Sequence, residues 1–342
     1  MITIDGSFGE GGGQILRTSL SLAAITGTDV HFEKIRAGRP KPGLMRQHLA
    51  CAKAVAEICG GELEGGELNS QQLTLRPGKI YGGDYRFVIG SAGNTLLLAQ
   101  TVIPVLLFAD KPSTVVLEGG TYTTKAPVYD FFERVYLPCL RKMGLEVSCR
   151  MDRIGFYPAG GGKVTLSVKP ARVWGKLSLS ERGDLRNARV TAIGSGLDES
   201  ILSDELKIFQ AGLVDMLKFH AEKKNVKCDG SGNVLIAELE YDNLTEIFSA
   251  CGSYGVSRVS VARNAITDAK RYLKNNWVVG QYLADQLMLP MAVGAGGDYL
   301  TGKPTKHSET NRDVIRKFLD LDIKFIKDEN KKKEIYRVEI GK

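Results

Sequence analysis

The chain has 342 residues, 43% of them hydrophobic, and 46 Lys and Arg against 39 Asp and Glu give a net charge of +7. That length suits two domains, or one large domain carrying an insertion around a sizeable core, and the modest basic excess suggests an anionic partner. The six cysteines form no CxxC pair or zinc-spaced Cys/His set, the start MITIDGSFGEGG is not leader-like, and no apolar run reaches membrane-spanning length. The expectation is therefore a soluble cytoplasmic protein with reduced cysteines, no structural metal and no membrane association.

In chain order, GEGGGQILRTSLSLAAITG comes first and predicts a glycine-rich turn feeding an apolar helix. Consecutive glycines let amides approach an anion at a helix N-terminus, and they equally suit a tight strand-to-helix turn. The run is not a dinucleotide fingerprint, because Gln14 stands where the third glycine belongs. Glu10 is the odd residue in an anion-binding loop; a carboxylate beside phosphate calls for a divalent cation, which makes Glu10 a metal candidate. Next comes KIRAGRPKPGLMRQH, where Lys34, Arg36, Arg39, Lys41 and Arg46 face only Glu33 nearby. Its prolines and glycines stiffen the loop and suit held guanidinium groups that grip phosphate, with Arg17, Gln47 and His48 expected to converge on it; the alternative is a solvated basic loop.

A second helix pair follows, IGSAGNTLLLAQTVIPVLLFAD and KAPVYDFFERVYLPCLRKMG, displaced by about 80 residues from the first. A third, VVGQYLADQLMLPMAVGAGG and KPTKHSETNRDVIRKFLDL, lies about 190 residues beyond that, so roughly 100 residues are inserted ahead of it. Short alternating runs between the pairs, QQLTLRPG, STVVLEGG, LEVSCRMDRIGFYPAGGG and KVTLSVKP, predict strands. The insertion, residues 184–276, reads as a small α/β unit of its own. It offers a strand at 188–193, an amphipathic helix over 199–220, strand-like NVLIAELEY and TEIFSACG, and a helix over 262–274. The remainder, 1–183 and 277–342, reads as one body of repeated α/β units, each with two helices on one face of a small sheet.

GGDYLTGKP falls short of a P-loop because Pro304 replaces the required hydroxyl. Close by stands His307, one of four histidines, at the predicted start of a helix. Neutral imidazole is a competent nucleophile and a nitrogen–phosphorus bond is a reactive intermediate, so phosphate-binding loops elsewhere make His307 the candidate nucleophile. His31 is expected in a strand and His220 on a helix face, while His48 fits either a packed helix position or the site.

The ordered set GEGGGQILR, RAGRPKPGLMRQH, GSAGNTLLLAQ, GFYPAGGG, YLADQL and the His307 segment resembles the RNA 3′-terminal phosphate cyclase family over essentially the whole chain. The resemblance implies an α/β (α+β) fold of three repeated units, each with two helices and four strands and similar to the C-terminal domain of a translation initiation factor, plus an inserted thioredoxin-like domain. It implies ATP-dependent conversion of RNA 3′-phosphate ends to 2′,3′-cyclic phosphodiesters, with Mg2+ or Mn2+. His307 would take AMP from ATP, pass it to the RNA 3′-phosphate, and the neighbouring 2′-hydroxyl would then expel AMP. By match to the family pattern, Arg17, Arg36 and Arg39 would bind phosphates, and Gln47 and Gln100 would position nucleotide or phosphate. Glu10 would help hold the metal, Pro127, Phe131 and Tyr282 would sandwich the adenine, and Asp285 would orient either imidazole or metal. Two other readings compete: a non-catalytic cyclase-like protein of ribosomal RNA maturation, against which His307 argues, and an enolpyruvyl transferase, which needs neither ATP nor a histidine nucleophile.

Overall fold

The computed structural model describes residues 1–329 and 334–341. Strand β1 (Ile2–Asp5) runs through the glycine turn into helix α1 (Gly13–Thr26), followed by β2 (Val30–Glu33), α2 (Arg46–Ile58), β3 (Glu62–Glu64) and β4 (Leu73–Arg76). Helix α1 buries Ile15, Leu16, Leu20 and Leu22, and stops where Gly27 turns left-handed at φ +65° with its N–H bonded to the Ala23 carbonyl. Then come β5 (Asp84–Val88), α3 (Thr95–Leu106) and β6 (Ser113–Gly119). The next helical segment has three parts: α4 (Tyr129–Phe131), a π turn (Phe132–Tyr136) and α5 (Leu137–Lys142). Strands β7 (Val147–Arg153), β8 (Gly162–Val168) and β9 (Leu177–Leu179) follow.

From there the chain makes β10 (Leu185–Ser195), α6 (Glu199–Leu213), β11 (His220–Asn225), β12 (Gly232–Tyr241), β13 (Thr245–Cys251) and α7 (Arg258–Asn275). It finishes with α8 (Gln281–Val293), β14 (Gly297–Thr301), α9 (Lys306–Phe318), β15 (Asp322–Lys327) and β16 (Tyr336–Gly341).

The described strands form four mixed four-stranded sheets, ordered β1-β2-β4-β3, β5-β6-β8-β7, β11-β10-β12-β13 and β15-β16-β14-β9. Three of them share one scheme. The pairs β1/β2, β5/β6 and β9/β14 are parallel, and each second strand pairs antiparallel with a fourth that also pairs antiparallel with the third. Within the β10–β13 sheet, strand β12 is buried on both faces, its alternate residues pointing opposite ways. Leu235, Ala237 and Leu239 join Phe209, Val261 and Tyr272 in a core with α6 and α7, while Val234 and Ile236 join the large core of the remaining chain.

Three sequence expectations need correction. His220 opens strand β11 and does not lie on a helix face, since α6 ends at Leu213. The KAPVYDFFERVYLPCLRKMG helix is broken by the π turn. Of LEVSCRMDRIGFYPAGGG, Val147–Arg153 is strand and Gly162 opens β8; the residues between turn the chain back. Among the described residues no helix is long and apolar enough to cross a membrane.

Candidate active site

Helix α1 packs against α2, α3 and α9, and α8 packs against α9 and the π turn. Their N-terminal ends open onto a cavity of about 980 Å³. His307, Glu10, Arg17, Arg36, Arg39, Gln47, Gln100, Pro127, Phe131, Tyr282 and Asp285 all line it.

His307 is the second residue of α9, whose N-cap Thr305 accepts the Ser308 amide through its hydroxyl. Its side chain is 51% exposed. Nδ1 lies 3.1 Å from Gln14 Oε1, and Gln14 Nε2 donates to Asp285 Oδ2 at 2.6 Å. With the Gln14 amide nitrogen spent on the carboxylate, its oxygen faces the ring, an arrangement that favours the tautomer with the proton on Nδ1 and the lone pair on Nε2. Nε2 stands 3.8 Å from Glu10 Oε1. Burial raises the Asp285 carboxyl to about 6, against the lowering pull of His307, the Gln14 hydrogen bond and Arg17. Polar bonds hold the three helices in register: Thr18 Oγ1 donates to Asn311 Oδ1 at 2.8 Å, Asn311 Nδ2 to the Asp285 carbonyl at 2.9 Å, and the Glu10 amide to Thr310 Oγ1 at 3.0 Å.

The cationic end is built on the glycine turn and the arginine loop. Arg39 grips the Glu10 carboxylate and donates to the Glu10 and Gly11 carbonyls. Arg36, at φ +53°, bonds the carbonyls of Lys41 and Gly43, so part of its guanidinium braces its own loop. The Arg17 guanidinium has no hydrogen-bond or ion-pair partner among the described residues, and burial pulls its pKa down. An unpaired, half-buried guanidinium facing a cavity is an anion receptor. His48 Nδ1 accepts the Met45 amide at 3.2 Å, which leaves Nε2–H to donate into the cavity. Burial and then Arg17 and Arg36 lower His48 to about 3, so it serves as a neutral donor. Gly13 lets these groups close in, because a Cβ there would meet His48 Nε2 at 2.4 Å and an Arg17 terminal nitrogen at 2.8 Å and displace both side chains.

The other end is less polar. Asn94 caps α3 by accepting the amides of Leu96 and Leu97 at 2.9 Å each, and its Nδ2 donates to the Pro127 carbonyl at 2.9 Å, which anchors the Pro127 loop. Gln47 Oε1 accepts the Asn94 amide at 2.7 Å, so Gln47 also tethers α2 to that turn. Phe131 is 4% exposed and belongs to the core as much as to the cavity wall. Across the cavity Tyr282 is 48% exposed, with its hydroxyl donating to Asp268 Oδ2 at 2.9 Å. Gln100 donates to Gln286 Oε1. Ile247 and Ser249 of β13 complete this end.

Sequence reading missed Gln14, Asn94, Gln286 and Ser249. Gln14 had a signal, since it broke the glycine fingerprint, but its partners lie 271 and 293 positions away. The described residues contain no group of three or more His, Cys, Asp or Glu side chains able to hold a metal ion. Glu10 is a single carboxylate with Oε1 held by Arg39, so Oε2 is the one oxygen it offers a magnesium-like ion, whose other ligands would come from phosphates and water.

Fold and site together define a mixed α/β protein whose cleft joins a cationic, anion-receptive end to a less charged end lined by amides, Pro127 and aromatic side chains. Residues 8–325 match the model of the RNA 3′-terminal phosphate cyclase family, and the chain belongs to that family. Among solved structures, the crystal structure of the enolpyruvyl transferase NikO from Streptomyces tendae is similar over 99% of this chain and 48% of that one, at 11% identity and a TM-score of 0.38. The chain therefore spans about half the length of that structure.

Proposed function

We propose that the protein is a catalytic cyclase that converts RNA 3′-phosphate ends to 2′,3′-cyclic phosphodiesters at the expense of ATP. The observation that carries this reading is the His307–Gln14–Asp285 chain, which favours the proton on Nδ1 and frees Nε2 at the cavity. A non-catalytic relative would have no use for an imidazole held in that tautomer. In the first step Nε2 attacks the α-phosphorus of ATP, the bond to the bridging oxygen breaks, and pyrophosphate leaves. The RNA 3′-phosphate then attacks the same phosphorus, displacing imidazole and leaving AMP on the RNA end. Finally the adjacent 2′-hydroxyl attacks the RNA phosphorus and AMP departs, a step that needs little beyond alignment because nucleophile and electrophile share one ribose.

Negative charge accumulates throughout, so Arg17, Arg39 and neutral His48 are assigned to phosphate oxygens, with Arg36 shaping the loop. Glu10 would hold a divalent cation, which neutralises phosphate charge when bound. Pro127, Phe131 and Tyr282 are assigned to the adenine, with Gln100 and Gln286 at its edge. The three sheets that share a pairing scheme are taken as three copies of one unit, with 184–276 as the inserted domain.

The test is incubation with ATP labelled at the α-phosphate and magnesium. Wild type should acquire an acid-labile, alkali-stable label, His307→Ala none, and Gln14→Ala should label about a hundredfold more slowly, since the ring loses its orientation. A folded wild type that takes up no label with any divalent metal would sink the catalytic reading.

A further inference from the structure

Strand β13 belongs to the β10–β13 sheet, yet Ile247 and Ser249 on it line the cavity of the main body. The residue before them, Glu246, is 1% exposed, and its Oε1 accepts the Gly280 amide at 2.6 Å. Gly280 is the N-cap of α8, and its own amide is held by a carboxyl 34 residues away, which ties the start of α8 to β13. A Cβ on Gly280 would stand 2.8 Å from Glu246 Oε2, so the carboxyl occupies the space a side chain would need. Two residues further, α8 carries Tyr282 into the cavity.

The neighbouring strand reaches a second part of the lining, next to Phe131. Glu238 on β12, the cross-strand partner of Ile247, is 7% exposed and accepts Arg134 NH1 at 2.5 Å. Arg134 also binds Asp130, which adjoins Phe131 and accepts the Tyr122 hydroxyl at 2.7 Å. Neither Glu246 nor Glu238 lines the cavity, so any effect on ligand must pass through the walls they hold. A buried carboxyl without its partner is costly, which makes both contacts stiff.

We propose that the inserted unit is a clamp on the nucleotide pocket: Glu246 and Glu238 are positioning residues that fix the spacing between the Tyr282 wall and the Phe131 wall, and thereby set affinity for the base of the nucleotide. The proposal rests on the ATP reading above. The full chain is titrated calorimetrically with α,β-methylene ATP, which cannot transfer AMP, and with inorganic tripolyphosphate, which reports the cationic end alone. Glu246→Ala should weaken the nucleotide analogue by at least about tenfold, the equivalent of one lost buried hydrogen bond, and leave tripolyphosphate within about twofold. Glu246→Gln, which keeps an acceptor for the Gly280 amide, should restore most of the affinity, and Glu238→Ala should follow Glu246→Ala in direction. Parallel weakening of both ligands, or of neither, overturns the clamp. If wild type ignores the nucleotide, the ATP reading fails on its own, and amide exchange then decides the clamp. In Glu246→Ala, peptides over 279–286 and 129–136 should exchange at least about tenfold faster with the other helices unchanged, whereas no change, or a uniform change, would refute it.

Discussion

Glu205 on α6 is fully buried, and only one of its carboxylate oxygens is satisfied: Oε1 accepts Asn233 Nδ2 at 2.5 Å, while Oε2 has no partner among the described residues. Burial raises its pKa to about 7 from the usual 4.5, partly offset by the Asn233 bond. The folded state therefore holds a proton that the unfolded chain has released between those two values. The associated stability is fully present below the unfolded value and is lost as pH rises through about 7, by up to roughly 3 kcal/mol. Glu246, raised to about 8 by burial, acts in the same direction, so the wild type alone does not isolate Glu205. The difference between wild type and Glu205→Gln does: in urea unfolding the variant should gain relative stability from pH 5 to pH 8. A difference that does not change with pH would refute this account. Composition could never have flagged Glu205 or Glu246, because an acidic residue is read as surface until its surroundings are known.

At the scale of elements, the glycine turn and α1 work as one device. Gly13 is the first residue of α1 and has no left-handed φ, so alanine is conformationally welcome there and should even favour the helix by up to about 1 kcal/mol. Its methyl would nevertheless intrude on His48 and Arg17. Gly13→Ala should therefore leave the melting temperature nearly unchanged while α-phosphate labelling falls at least about tenfold, as measured by scanning calorimetry beside the labelling assay. A large loss of stability would instead mean that the turn tolerates no side chain for structural reasons. The regular helices were legible because long apolar runs are punctuated by glycine and Asn94 stops and starts. The π turn was not, because it lies where Arg134 is drawn to both Asp130 and Glu238, and Glu238 is 104 positions away. The expected helix ran on to His220, and strand β11, which His220 opens, was not foreseen, since HAEKKN has neither apolar alternation nor β-branched residues; as a sheet edge it pairs with β10 and keeps mostly polar side chains.

Over the whole molecule, the two cores share a sheet and are not separable blocks. Removing 184–276 would strip Ile193, Val234, Ile236 and Ile247 from the large core, and the isolated piece would expose the same apolar face to water. The expected outcome is one calorimetric transition for the full chain, with no early melting of the inserted unit; two resolved peaks would show that the shared face contributes little coupling. Sequence patterning marked 184–276 as an α/β stretch, but not that strand β12 within it is covered on both faces. The alternating residues of β12 are apolar on both faces, a pattern that on its own also fits any fully buried strand.

The pairing of β9 with β14 sets a timetable for synthesis. Leu177 lies beside Gly297, so a nascent chain that has made β9 must wait some 120 residues for its neighbour in the sheet, and longer for β15 and β16. At ordinary translation rates that is on the order of ten seconds. The first two sheets close from contiguous chain, whereas Gln14 emerges early and meets His307 only after the inserted unit has left the ribosome. A ribosome-bound intermediate would thus carry the glycine turn and the arginine loop with His48 against them, but without the His307 imidazole that α9 later supplies.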